Sequence, residues 1–492
     1  MRRLMSSSWP SGILAAVVLG VPLGCSVGPH YHAPAPPVVT AYTPDALPKE
    51  TASSAGPAGA VQTFDSSASV PAQWWTQFHS PELDGMVQQA LENSPKLAQA
   101  SARLKQAQEE LKARTGASKY PTAGGNVSVQ EEQLNLSAYG IPFPNPSPFT
   151  LLNGSVAVSY ALDLFGANRH LVEGLRAGKD YEQWQLAGAR LMLAGNVVSA
   201  AIRQAQLRTQ IDLTRQLLAV EQQELEIAEQ RQSAGGVSAS EVHSRRTALA
   251  QLQAALPPLE QQLDAVNDQL AILMGRPPAA AAVAEISLDR LQLPAELPVS
   301  LPASLAAQRP DIRAAESLLH QAGANVGVAT ANLYPQIVLT GGGGAVGTKF
   351  ISGGDIWNVG FSFAQPIYNG GALRAEKRKA EAQYEEAGAV YRQTVLAALQ
   401  EVADTLYAIQ HDAQTLQARA GAAQEADAST RIAAERYQAG GISRLALLET
   451  QRQQLQAELD CTAAIAARFA DSATLYQALG GGWWNAARPL AH

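Results

Sequence analysis

The sequence predicts a mixed α and β protein built from two internal repeats, each contributing a pair of membrane-type strands and a set of very long coiled-coil helices. Three observations carry this. Landmarks of the first half return in the second about 205–215 residues later. Two proline-free stretches are long enough for helices of roughly 100 Å. Each repeat also holds two segments in which polar and apolar residues alternate.

The chain has 492 residues and a net charge of -7, with no basic run, so nucleic acid is not an expected partner. Its two cysteines, Cys25 and Cys461, cannot make a disulfide framework. Arg2 and Arg3 precede a short apolar run, Ile13 to Val21, that ends in Leu23-Gly24-Cys25. This pattern reads as a signal peptide over residues 1–24 and resembles a bacterial lipobox, in which Cys25 becomes the lipidated first residue. Pro22 stands where a lipobox usually has an aliphatic residue, and an ordinary secretory signal with an incidental cysteine is the alternative. No later stretch is apolar over the roughly 18 residues that a spanning helix needs.

Residues 25–72 are expected to form a lipidated tether, because positions 33–70 are rich in Pro, Ala, Ser and Thr and poor in large apolar side chains. Folded structure is expected from Trp74-Trp75 onward, with repeat one over residues 73–285, repeat two over 286–482 and a tail over 483–492. Asn93-Ser94-Pro95-Lys96-Leu97 parallels Gln308-Arg309-Pro310-Asp311-Ile312, and Tyr120-Pro121 parallels Tyr334-Pro335. Glu229 to Gly236 likewise matches Glu435 to Gly441, and Gly275 matches Gly480.

Within each repeat a helix comes first. Leu83, Ala90, Leu97, Leu104 and Leu111, and then Leu305, Ile312, Leu319, Val326 and Leu333, keep the seven-residue spacing of a coiled-coil seam. Pro95 and Pro310 should interrupt these helices near their starts. A strand pair follows: Asn126–Gln130 with Ser155–Tyr160, and Gln336–Thr340 with Asn358–Phe363. Tyr139 to Thr150, with four prolines, reads as the first hairpin's exposed tip. The run Gly342-Gly343-Gly344-Ala345-Val346-Gly347 fits a dinucleotide-binding fingerprint, but Ser352-Gly353-Gly354 follows where a helix should, so it reads as the second hairpin's loop. Long helices then run from Ala167 to Ser233 and from Ala372 to Ala439, each ending in a Gly-Gly turn fit for a left-handed cap. Return helices cover Ser238 to Met274, with a kink expected at Pro257-Pro258, and Ser443 to Leu479.

Four strands cannot close a barrel with an open lumen, and an open sheet edge is not tolerated in lipid. The chain must therefore oligomerise so that strands from several copies close one barrel, continuous with a sheaf of helices. A pore joined to a helical tube is a conduit.

Seven motifs place the chain beside a known family. They are Cys25 to Tyr31, Trp74-Trp75, Leu162-Asp163-Leu164-Phe165-Gly166, Arg309-Pro310-Asp311-Ile312, Gln365 to Gly371, Glu401-Val402-Ala403-Asp404 and Arg436-Tyr437. Together they resemble the TolC-like outer-membrane efflux proteins, in their lipoprotein branch. The resemblance implies a homotrimer that forms a membrane β-barrel and a periplasmic α-helical barrel, lipid-anchored in the cell outer membrane. It also implies docking to a periplasmic membrane-fusion adaptor and an inner-membrane pump of the RND type, with no chemistry done on the cargo. The family closes its periplasmic end with acidic residues and nearby tyrosine and arginine links. Here Glu449 matches the acidic position, beside Tyr437 and Arg436, while Ala446 stands where some relatives are acidic. Leu447 and Leu448 are the candidates for an apolar closure instead. Crowding of three Glu449 carboxylates on one axis would raise their pKa. The turns with Gly235, Gly236 and Ser238, and with Gly440, Gly441 and Ser443, are the expected adaptor contacts.

No nucleophile–base constellation or metal-ligand cluster is evident, so no catalytic, metal or cofactor site is expected. His30 and His32 read as tether residues, Cys461 as a packed thiol, and Glu109-Glu110 and Glu385-Glu386 as solvated faces. Two other functions fit parts of the pattern: a structural coiled-coil surface lipoprotein, and a type I protein-secretion duct.

Overall fold

The computed structural model describes residues 27–35, 38–140, 142–279, 283–348 and 351–485. Cys25, the signal segment and positions 486–492 of the tail lie outside them. The elements, in chain order, are β1 (Thr63–Asp65), α1 (Pro81–Asn93), α2 (Pro95–Lys119), β2 (Thr122–Glu132), β3 (Phe149–Leu162), α3 (Ala167–Ser233), α4 (Ala239–Leu273), β4 (Glu296–Pro298), α5 (Pro302–Gln308), α6 (Pro310–Ala331), β5 (Gln336–Thr348), β6 (Ile351–Ala364), α7 (Ala372–Gln438) and α8 (Arg444–Ala478). The helices α3 and α7 have 67 residues each, and α4 and α8 have 35 each.

Local chemistry sets the ends of these elements. The Ser80 hydroxyl accepts from the Leu83 amide, and Pro81 opens α1. Ser94 and Arg309, each before a proline, are extended and separate α1 from α2 and α5 from α6. Both very long helices end in the same way. The Gly236 amide donates to the Arg231 carbonyl and the Gly235 amide to that of Gln232; Gly441 and Gly440 repeat this onto Arg436 and Tyr437. Gly235 and Gly440 take φ of 75° and 74°, the left-handed conformation that this Schellman cap requires. Ser238 and Ser443 then cap α4 and α8. The helix α4 runs without interruption through Pro257 and Pro258. Among the described residues, α3 alone is long and apolar enough to cross a bilayer, but 56% of its most apolar window is buried inside the chain, which makes it a packing helix.

The chain divides into two compact units. One comprises Met1–Ala33, Lys105–Tyr181 and Glu316–Val390; the other comprises Pro34–Leu104, Glu182–Ala315 and Tyr391–His492. The first holds an antiparallel sheet of order β2-β3-β5-β6. Its strands are longer than the alternation alone suggested, and the glycine run is not a loop. Gly341 to Gly344 lie within β5, paired to β3 on one side and β6 on the other. A Cβ built on Gly344 would lie 2.3 Å from the Gly154 carbonyl oxygen, so a glycine here admits close approach of the neighbouring backbone.

The second unit overturns the tether reading for much of residues 43–70. The strand β1 pairs in parallel with β4, and Thr43, Thr51, Ala58, Gln62 and Val70 are buried. Arg468 of α8, 1% exposed, explains this. Its guanidinium donates to the Ala58 and Ala60 carbonyls, the Thr51 hydroxyl and the Gln62 side-chain oxygen. A polar segment with little apolar surface is thus ordered by backbone acceptors that converge on one buried cation. The aromatic core joins Trp74 and Phe78 to α8: Trp74 stacks on Tyr476 at 5.6 Å, while Phe78 meets Phe469 at 6.2 Å.

Beside Arg468, burial and the hydrogen bond shared with Asp412 push the Asp471 carboxyl up to about 8. The folded chain therefore keeps a proton that the unfolded chain releases near the usual aspartate value. Stability should be greatest at the acid end of that window and fall, by an amount on the order of a few kcal/mol, as pH rises from about 4 to about 8. Asp471→Asn should flatten this slope, read by denaturant unfolding at several pH values. An unchanged slope would place the proton elsewhere.

Candidate channel wall and charged constriction

The four-stranded sheet sorts most of its side chains by chemistry, with Leu151, Val338, Val346 and Ile356 on the polar face and Asp355 on the apolar one among the exceptions. On one face lie Val127, Val129, Leu152, Val156, Val158, Tyr160, Ile337, Leu339, Trp357, Val359, Phe361 and Phe363; on the other lie Thr122, Asn126, Ser128, Gln130, Asn153, Ser155, Ser159, Thr340, Asn358 and Ser362. The apolar face is open: Trp357 is 74%, Val359 81% and Phe361 76% exposed. Strands of 11 to 14 residues, tilted by about 45°, cover roughly 25–33 Å, the thickness of a hydrocarbon core. The outer strands β2 and β6 each have one unpaired edge within the chain. One apolar and one polar face, with free edges, is the pattern expected of a strand set that could join a membrane barrel.

A second set of groups lies in the other unit, near the glycine turns. Glu449 and Arg452, one turn apart on α8, form an ion pair, and Gln453 donates to Glu449 at 3.3 Å. The Arg452 bond holds the Glu449 carboxyl below its usual value. Within the chain, the shift therefore runs opposite to the one expected of crowded, unpaired carboxylates, because a guanidinium on the same helix supplies the counter-charge first. Arg452 also lies 3.9 Å from Glu221 on α3. Glu224, one turn further along α3, has a side chain 0% exposed and pairs with Arg245 of α4. Burial pushes the Glu224 carboxyl up despite Arg245, with Glu221 and Glu449 adding to the rise. One oxygen of Glu221 and one of Glu224 are buried without a hydrogen-bond partner.

Tyr437 lies at the end of α7, 39% exposed, with the Arg444 guanidinium 5.7 Å from its ring centre. Arg444 also donates to Gln223 of α3 at 2.7 Å, so it links three helices. Arg436 is exposed, and its carbonyl receives the Gly441 amide. Leu447 and Leu448 do not offer an apolar closure. They are 4% and 0% exposed, and Leu448 packs with Leu213, Leu217, Val220 and Leu455. Helix packing claims Leu448 because it faces α3, and Leu447 is buried beside it, while Glu449 stands on the more open side. Gly235, Gly236, Ser238, Gly440, Gly441 and Ser443 are all exposed. Cys461 is half-buried, and burial pushes its thiol up.

Sequence reasoning placed Glu449 and Tyr437 beside each other's helices but missed Glu221, Glu224, Arg245 and the linking role of Arg444. A charged residue inside a long amphipathic helix carries no local mark of the partner it will meet.

The motif residues Arg309 and Glu401 prove to be one construction. Arg309 forks onto Asp311 at 3.0 and 2.7 Å, donates to the Ala478 carbonyl at 2.8 Å and pairs with Glu401 at 2.7 Å. Burial opposes the charge, but Asp311 and Glu401 hold the guanidinium firmly protonated.

The profile of the outer membrane efflux protein family matches residues 86–276 and 301–481. The chain is 33% identical over 436 residues to a pyoverdine export outer membrane protein, OpmQ, of Pseudomonas aeruginosa, covering 87% of this chain and 90% of that one. It is 30% identical over 492 residues to the toluene efflux pump outer membrane protein TtgC of Pseudomonas putida, covering 98% and 97%. Among solved structures it resembles the outer-membrane channel OprN, with a TM-score of 0.79 and 27% identity over 93% of this chain and 100% of that one.

Proposed function

Because the chain belongs to the outer membrane efflux protein family, we propose that it is the outer-membrane exit duct of a tripartite efflux system. Three copies close one β-barrel, and their long helices, about 100 Å each at 67 residues, form a periplasmic tunnel. The observation that carries this reading is the open apolar face and free edges of the four-stranded sheet. Such a sheet is stable in lipid only when other copies complete it. The exposed turns at residues 235–238 and 440–443 receive a periplasmic adaptor, and an inner-membrane pump of the RND type supplies the energy. The duct itself does no chemistry. Its cargo is small molecules, the class to which the pyoverdine and toluene named for its relatives belong.

Lipidation at Cys25 fits the same frame. The Val27 amide donates to the Phe165 carbonyl at 3.1 Å, just past the end of β3. Cys25 is two residues upstream, so its Cα lies within about 7 Å of that of Val27. An acyl chain there would enter the periplasmic leaflet if the β3 end is the inner rim of the barrel, which puts the hairpin tips outside.

The test is conductance of the purified protein in planar bilayers. Discrete channels are expected. Glu449→Gln should lower the cation-to-anion permeability ratio, by roughly twofold if its carboxylates dominate the narrowest ring. A protein that inserts but carries no current would favour the structural lipoprotein. Channels whose selectivity ignores Glu449 would place the constriction elsewhere. The apolar strand faces speak against a bare surface stalk, which has no need of a membrane-height sheet.

A further inference from the structure

The polar face of the four-stranded sheet has a charge pattern of its own. From residue 133 to residue 162, across the first hairpin's tip and the whole of β3, every residue is uncharged. In the four strands the charged residues are Glu131 and Glu132 at the end of β2 and Asp355 in β6. The register puts Glu131 and Asp355 on the apolar face, so among the described strand residues Glu132 is the one charge on the polar face.

Neutral amides occupy the middle of that face. Three successive cross-strand rows carry one asparagine each: Asn358 in the row with Gly342, Asn126 in the row with Ser155 and Gly344, and Asn153 in the row with Ser128. The rows are two residues apart, so the three amides span about 14 Å along the strands. The Asn358 amide lies across Gly342, since a Cβ built on that glycine would be 2.8 Å from Asn358 Oδ1. Glu132 stands four residues along β2 from Ser128, about 14 Å from the Asn153 row and further from the other two. That exceeds the roughly 8 Å over which charges act in physiological salt.

A carboxamide offers an acceptor oxygen and two N–H donors, so it takes the place of water around an anion, a cation or an uncharged polar group alike. A ring of like charges concentrates one sign and repels the other; a neutral wall does neither. We propose that Asn126, Asn153 and Asn358 line the barrel lumen as a charge-neutral amide girdle, which suits the duct to bulky amphipathic small molecules of either sign and leaves discrimination by charge to other parts of it. This rests on the reading above, in which three copies close one barrel, with the polar face inward. Three four-stranded sheets give a barrel between the roughly eight strands that side chains fill and the roughly sixteen that leave an aqueous channel, so the size of the inward side chains sets its width. Gly342 and Gly344 keep the asparagine rows open, while Val346 and Ile356, in the Asn153 and Asn126 rows, give apolar parts of a cargo molecule a footing beside the amides.

The experiment uses the intact protein in lipid discs, with Asn126→Cys, Asn153→Cys, Asn358→Cys and Val359→Cys introduced singly. Each variant is treated with an anionic reagent, sulfonatoethyl methanethiosulfonate, or a cationic one, trimethylammonioethyl methanethiosulfonate. Peptide mass spectrometry locates the adduct, so Cys25 and Cys461 do not interfere. The ratio of the two rates, divided by that of a small free thiol, cancels the thiol's own ionisation. A local potential of one unit of thermal energy per charge moves this ratio about sevenfold. The three asparagine positions should react with both reagents at a normalised ratio within about threefold of unity. Val359→Cys, on the apolar face, should react at least about tenfold more slowly with both. A ratio beyond about threefold at the asparagine positions would overturn the neutral girdle and leave the barrel standing. Reaction at Val359→Cys with the three asparagine positions protected would overturn the inward placement of the polar face, and the barrel reading with it.

Discussion

Arg245→Ala is expected to lower stability by about 3–5 kcal/mol at about pH 8, because it strands a fully buried carboxylate. The Glu224 side chain is 0% exposed, and one of its oxygens already has no hydrogen-bond partner. Without Arg245, that carboxylate has Glu221 and Glu449 as neighbours of like charge and only Arg452 as a remaining neighbour of opposite charge. It should then take up a proton. The loss should accordingly be smaller at about pH 5 than at about pH 8, since a carboxyl with a raised folded-state value destabilises as pH climbs through it. Glu224→Gln removes the charge and should leave stability within about 1 kcal/mol or raise it, and Glu224→Gln with Arg245→Ala together should recover much of the single loss. Helix unfolding in denaturant, followed by circular dichroism across pH, gives the full cycle. A pH-independent loss in Arg245→Ala would mean that its packing, not its charge, matters. The same variants bear on the duct, since Glu221, Glu224, Glu449, Arg245 and Arg452 tie α3, α4 and α8 together. Loosening that tie should raise resting conductance in bilayers.

Arg309→Ala should be the other large change, about 2–3 kcal/mol, with less protein reaching the outer membrane, because the hydrogen bonds of one buried cation are lost while Asp311 and Glu401 remain half open to water. One guanidinium, 12% exposed on its side chain, serves Asp311, Glu401 and the Ala478 carbonyl at once. It therefore joins the start of α6 to the middle of α7 and the end of α8. Its removal leaves a helix-end carbonyl and Glu401 without their donor. Arg309→Lys should rescue little, because an ammonium on a flexible stem cannot fork onto Asp311 while reaching two other acceptors. The measurement is the same unfolding assay with a membrane-fraction yield. If lysine restores both, charge alone suffices and the fork geometry is incidental.

Much of this architecture is written in short stretches of sequence. The absence of proline from 167 to 233 and from 372 to 438 permits two helices of 67 residues. Pro95 and Pro310 divide the opening helices, and Ser238 and Ser443 mark helix starts to the residue. Gly235 and Gly440 mark the ends. Each of these signals acts within about one helical turn, so no distant partner is needed to read it. Strand alternation was legible for the same reason. The family motifs were legible as words, though not as a mechanism: Arg309 and Glu401 stood far apart in the sequence with nothing to say that they meet.

What only the tertiary structure decided depends on which far-separated groups share one buried space. The composition of residues 43–70 argued for a free tether, yet Arg468 orders part of it through backbone carbonyls, and a backbone acceptor is the same in every residue. The glycines of β5 looked like a loop because glycine is permissive; the close approach of β3 makes that permissiveness a packing requirement within a strand. Leu447, Leu448 and Glu449 are consecutive letters, but the turn of α8 buries the two leucines, Leu448 in the α3 interface, and leaves Glu449 to Arg452. Glu224 was one acidic residue among many on a long helix until burial gave it Arg245 as its counter-charge. In each case the sequence specifies the chemistry of the side chain, while desolvation and the approach of a second element determine whether that chemistry is exposed, paired or strained. Those depend on the position of every other helix and so cannot be read from neighbouring residues.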